Sequence, residues 1–164
     1  MQRQRPCRSA CARICGGELA PQLSGRVCFF DVPGGTWIEA EICGLPPYRP
    51  AGSDGQPVGP HGFHIHAGDS CEPVHSDDPF SEAGGHWNPD NQPHGNHAGD
   101  FPVLFSNHGL ALMYFFTDRF SVRDVIGKTV IIHQSPDDYR SQPAGNSGKR
   151  LGCGVIRPCN ACRK

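Results

Sequence analysis

Between Asp69 and about Phe105 the chain shows neither helical nor strand periodicity, only a density of Gly, Pro, Asn, Asp and His. A compact domain does not carry a structureless stretch of that length unless something other than an apolar core organises it. The stretch supplies His86, His94, His97 and Asp100, and just before it "GFHIHAGDSC" sets His64 and His66 on a run that otherwise reads as a strand. Strand alternation points both imidazoles one way, about 7 Å apart along the chain, with Phe63 and Ile65 facing the other way as core residues would. A further candidate, His133, ends the apolar strand "TVIIH". Singly, each has an ordinary reading: a turn cap, a loop histidine, an Asx-turn. Together they offer what a long polar loop needs, a ligand whose binding offsets the entropy of ordering it. Histidines with a carboxylate suit Zn(II), and three or four imidazoles without thiolate suit Cu(II) or Zn(II). Seven candidates exceed one tetrahedral ion and suit two ions sharing a ligand, because a deprotonated imidazole binds through both nitrogens.

The remainder reads as short strands and turns. "SGRVCFFDV" and "TWIEAEICGL" flank a Gly-Gly turn, and in the second Ile38, Ala40 and Ile42 face one side while Trp37, Glu39 and Glu41 face the other. That is a hairpin. "GFHIHAG", "NHGLALMYFFTDRF", "KTVIIHQS" and "LGCGVIR" give further strands, and "SVRDVIG" a short helical turn or loop. A second loop rich in Gly, Pro, Asp and Ser runs from Pro136 to Lys149. With 21 glycines and 16 prolines and no long amphipathic helical pattern, the chain is antiparallel all-β. Fifteen basic residues against sixteen acidic ones argue against a nucleic-acid or membrane-surface partner. The basic start has no apolar segment behind it, so it does not read as a secretory leader, and a cytoplasmic setting is expected. Nine cysteines pull the other way, toward an oxidising compartment.

The motifs "GFHIHAGDSC", "AGGHWNP", "PHGNHAGD", "TVIIHQSPDD" and "GNSGKRLGCGVI" occur in the order and approximate spacing of the copper/zinc superoxide dismutase family, which the chain resembles from about Leu19 to Arg157 in a bacterial form with shortened loops. The resemblance implies an eight-stranded antiparallel Greek-key barrel or sandwich with two long metal-site loops. It implies an oxidoreductase that disproportionates superoxide to dioxygen and hydrogen peroxide, with copper and zinc as cofactors and superoxide as the small-molecule partner. Position by position it implies copper ligands His64, His66, His86 and His133, and zinc ligands His86, His94, His97 and Asp100, with His86 bridging the ions and acting in proton delivery. Asp137 matches an aspartate that joins the far nitrogens of His64 and His94, Arg150 an arginine that attracts the anionic substrate, and Cys71 and Cys153 an intrasubunit disulfide. Members occur as dimers and monomers, so a homodimer is compatible, and many members are extracytoplasmic. His94 and His97 stand closer together than in the eukaryotic members, and the second loop is poor in charge, which leaves steering to Arg150 and Lys149. A copper-handling or zinc-loaded binding protein on the same barrel is the alternative, because a fold does not fix an activity.

The expected organisation is a Cys-containing basic tail at 1–18, a dismutase-like domain at 19–157 and a short Cys-x-x-Cys tail at 158–164. Cys7, Cys11 and Cys15 fall on one face of a helix if one forms, and Cys159 and Cys162 have metal-ligand spacing. A thiolate site across both tails, disordered tails and disulfides are the open readings. Cys28 and Cys43 sit in strands as small residues. His61, His75 and His108 read as structural, loop and turn histidines, and Trp87 as a packing residue.

Overall fold

Seven strands, one short α-helix and a 3-10 turn at Ser81–Ala83 are formed in the computed structural model, which describes residues 9–53, 55–72 and 79–160. They are β1 (Ser9–Gly16), β2 (Ser24–Val32), β3 (Gly35–Cys43), β4 (Phe63–His66), β5 (Ala111–Thr117), α1 (Val122–Val125), β6 (Thr129–His133) and β7 (Arg150–Cys159). All pairings are antiparallel within one curled sheet of order β4-β6-β7-β1-β2-β3-β5. Period-2 alternation sends Ile14, Phe29, Ile38, Ile42, Phe63 and Ile65 into a common core, all at 1% exposure or less. The hairpin of β2 and β3 turns at Pro33 and Gly34, where Gly34 adopts φ 86°, a conformation that costs glycine nothing. No helix among the described residues is long and apolar enough to cross a membrane.

Two expectations need correction. Residues 9–16 are not a tail with a helical cysteine face but the central strand β1, hydrogen-bonded to β2 on one side and β7 on the other. Ala10, Ala12 and Ile14 point inward while Cys11, Arg13 and Cys15 point out. Small alanines between arginines and cysteines give only a faint apolar signal, and the two neighbouring strands supply what the local pattern lacks. Likewise β7 continues to Cys159, past the expected domain end; Cys7 and Cys162 lie outside the described residues. The second correction is the strand count. The segment from Asp100 to Leu104 runs beside β4 but makes only the isolated bridges His64↔Asp100 and His61↔Leu104. Pro102 cannot donate to a ladder, which interrupts regular pairing there.

Candidate metal centre

Strand β4 is buried on both faces. Phe63 and Ile65 enter the core, while His64 and His66, at 0% and 1% exposure, point outward beneath the long loop. The loop is stitched to that strand as an irregular neighbour. Trp87 N–H donates to the Ile65 carbonyl (2.8 Å), and Ile65 N–H to the Gly99 carbonyl (2.9 Å). These bonds set His86 opposite His66 and Asp100 opposite His64. From the other side β6 pairs with β4 and brings His133 in at its end, with Arg150 of β7 as its cross-strand partner.

Two clusters result, each with its ligand atoms within 4.8 Å of one another: His64, His66, His86 and His133 in one, and His86, His94, His97 and Asp100 in the other. His86 belongs to both. The hydrogen bonds decide which nitrogen of each ring keeps its lone pair. His66 Nδ1–H donates to the Gly84 carbonyl (2.8 Å) and His133 Nδ1–H to the Gly148 carbonyl (3.3 Å). Their bare Nε2 atoms therefore face each other at 3.2 Å, an arrangement that a cation between them relieves. Asp137 accepts from His64 Nε2 (2.7 Å) through one oxygen and from His94 Nε2 (2.8 Å) through the other, leaving both Nδ1 atoms inward. Among the described residues the buried side-chain nitrogens without a hydrogen-bond partner are His64 Nδ1, His86 Nε2, His94 Nδ1 and His97 Nδ1. Orphaned buried acceptors of this kind are costly unless a ligand takes them. The donor set thus fits two cations, one imidazole-only and one imidazole-carboxylate.

Electrostatics keep the rings ready. Burial, and after it the neighbouring imidazoles, hold His64 and His66 well below the usual histidine range. Burial pushes His133 down to about 3, and burial lowers His97 as well. All four are neutral at neutral pH, as ligation requires. For Asp100, burial alone would raise the carboxyl. Bonds from His86 and the His97 backbone, with the flanking imidazoles, outweigh that and lower it. Arg150 donates to the carbonyls of Phe80 (2.6 Å) and Gly84 (2.8 Å), and its charge contributes to the lowering of His66 and His133. Cys71 is bonded to Cys153, tying the start of the loop to β7 beside the small outer cluster of Phe80, Ala83 and Ile131.

The remaining histidines are elsewhere. His61 is fully buried and bonds the His133 carbonyl (2.9 Å), bracing that ligand's backbone, and His108 sits at φ 52° in a turn. Trp87 packs on Phe120 with Lys128 over its ring. His75 lies outside the described residues. Sequence reasoning missed the carbonyls of Gly84 and Gly148, which carry no side-chain signal, and Gly145. At Gly145 (φ 68°) a Cβ would collide with the Asp137 carboxylate and His94, and the turn composition "AGNSG" was the available hint.

Comparison with known proteins agrees with this geometry. Residues 23–156 match the family described as copper/zinc superoxide dismutase. Among relatives, the Cu-Zn superoxide dismutase of Deinococcus radiodurans is 33% identical over 156 residues, covering 85% of this chain and 80% of its own. That of Legionella pneumophila is 33% identical over 147 residues (84% and 80%), and one from Aquifex aeolicus 32% over 151 residues (83% and 80%). The chain belongs to the copper/zinc superoxide dismutase family.

Proposed function

We propose that this protein is a superoxide dismutase, converting two superoxide anions and two protons into one dioxygen and one hydrogen peroxide. In this reading His64, His66, His86 and His133 hold copper, and His86, His94, His97 and Asp100 hold zinc. The observation that carries it is His86, whose ring is shared by two clusters of otherwise unpartnered buried nitrogens. Bound copper supplies one-electron exchange with superoxide, and bound zinc a fixed charge that makes the shared imidazole a good proton carrier. The residues supply the rest. His86 keeps Nδ1 turned to Asp100 (3.0 Å) and offers Nε2 as the atom that takes up a proton and passes it to the reduced oxygen species. Asp137 holds His64 and His94 in the tautomers that leave both Nδ1 atoms free. Arg150, anchored on Phe80 and Gly84, and the exposed Lys149 draw the anion toward the imidazole-only cluster.

The near-zero net charge supports neither nucleic acid nor a membrane surface as partner. For a homodimer, one apolar surface that a second copy could cover is the outer row Leu112, Tyr114 and Phe116 on β5. The Cys71–Cys153 bond makes an oxidising compartment the setting in which the loop is fully tied; the cytoplasm expected from sequence would leave two thiols there. The test is turnover of superoxide by protein reconstituted with copper and zinc, with metal content counted on the same sample and His133→Ala beside it. Rapid turnover at one copper and one zinc per chain, lost in the variant, is expected. Full loading without turnover sinks the dismutase reading in favour of a copper-handling protein.

A further inference from the structure

The cluster of His86, His94, His97 and Asp100 draws His94 and His97 from one tight turn, and the backbone of that turn belongs to no strand. Its amide hydrogens and carbonyls must be satisfied in some other way. Part of this is internal. Gly95 N–H (2.9 Å) and His97 N–H (3.0 Å) both donate to Asp100 Oδ2, and Asn96 N–H donates to the Pro93 carbonyl (3.1 Å). The rest comes from two side chains outside the turn. Gln142, on the second loop, accepts from His94 N–H through Oε1 (2.8 Å) and donates to the His94 carbonyl through Nε2 (3.4 Å). Its amide takes the place of a neighbouring strand at that ligand residue. Arg119, just past β5, donates from Nη1 to the His97 carbonyl (2.8 Å).

Both contacts fall where ligand direction is decided. Asp137, earlier in the same loop, accepts from His94 Nε2 (2.8 Å), so the second loop holds His94 by its ring and by its backbone. Gln142 Nε2 also meets the Arg140 carbonyl (3.2 Å), which fixes the amide's orientation. Gln142 and Arg119 are themselves exposed, so removing either side chain opens no cavity in the core. The charge of Arg119 separates two roles. By Coulomb repulsion alone a guanidinium beside a cation site weakens binding, and its removal would tighten it. If its bond to the His97 carbonyl matters more, removal loosens binding instead.

We propose that Gln142 and Arg119 are positioning residues for zinc: by holding the turn from outside they set His94 and His97 in the direction the ion requires. This rests on the reading that assigns zinc to the cluster. Neither residue touches the ion; each acts through the backbone of a ligand.

The test is zinc binding by the full chain in competition with a chelator, beside cobalt(II) placed in the same cluster so that its visible absorption reports ligand geometry. Cu(I), which has no visible absorption of its own, fills the imidazole-only cluster. Gln142→Leu and Arg119→Met are each expected to lower zinc affinity about tenfold and to change the cobalt spectrum. Gln142→Glu keeps the acceptor for His94 N–H, and Arg119→Lys keeps a donor for the His97 carbonyl; both are expected to recover most of the affinity. Arg140→Ala removes an equal charge from an exposed side chain of the second loop, and its affinity is expected to match the parent chain. Circular dichroism reports folding, and if Arg119→Met does not fold, the two Gln142 variants carry the decision. Tighter zinc binding by Arg119→Met would overturn the proposal. So would parental affinity with an unchanged cobalt spectrum in Gln142→Leu. Failure of the parent chain itself to bind zinc would overturn the cluster's assignment, and this inference with it.

Discussion

The two outer regions of this sheet are built on opposite principles. At the β4 and β6 end the candidate rings of His64, His66, His94 and His133 are buried, and the far nitrogen of each is already bonded to a carbonyl or carboxylate. On β1, β2 and β7 the free thiols of Cys11, Cys28 and Cys159 stand on regular strand positions, Cys11 directly opposite Cys28. The first region fixes orientation before any ion arrives; the second fixes only proximity. What separates them is the loop from Ala67 to Asp100, whose backbone is given up to holding side chains rather than to a ladder.

The comparison breaks most completely at His86. Replacing it with Ala removes a ligand from both clusters at once, and we expect turnover to vanish and both metals to fall away, as metal analysis after dialysis will show. Next comes the loop's tether. Cys71→Ser opens a link between residues 82 apart in sequence, and the expected loss is about 2–5 kcal/mol of unfolding free energy, read by denaturant titration of the metal-free protein. Asp137→Asn sharpens the contrast, because it keeps all ligands and alters only what orients them. A fall in zinc and copper affinity of about 10- to 100-fold is expected by competition with a chelator; unchanged affinities would mean that the loop alone holds the rings.

The most gradual effect, spread over several pH units, is on acidity. His64, His66 and His133 are held below their unfolded value, so the unfolded chain binds more protons than the native one as pH falls. Stability of the metal-free protein is then fully present above about pH 6.5 and declines below it, by roughly 1.4 kcal/mol per pH unit for each proton involved. For His133 the decline continues to about pH 3. Thermal melts across that range test this, and a flat profile would contradict it.

Much of the centre is legible in the sequence because ligand chemistry and strand parity are both written in side chains. His64 and His66 share a face by alternation alone, and Ile38, Ala40 and Ile42 announced β3 in the same way. Strand β1 was hidden because Ala10 and Ala12 bury little surface, and its identity comes from two neighbours distant in sequence. The carbonyls of Gly84 and Gly148, which set two tautomers, belong to the backbone and depend on loop conformation. Composition could not show that Arg150 would find the same Gly84 oxygen as His66. The cysteines were visible as a number but not as a neighbourhood, since it takes the register of β1 against β2 to set Cys11 opposite Cys28.

Strand β7 lies between β6 and β1, although it is the last strand in the chain. During synthesis, therefore, a four-strand piece (β1, β2, β3 and β5) and a two-strand piece (β4 and β6) have emerged while the position that joins them is still vacant. His64, His66 and His133 all ride on the smaller piece, whereas Cys11 and Cys28 ride on the larger. A chain ending shortly after residue 133 would hold all the candidate ligands of the histidine centre but no seam to fasten its two halves, leaving two open edges able to pair with another chain.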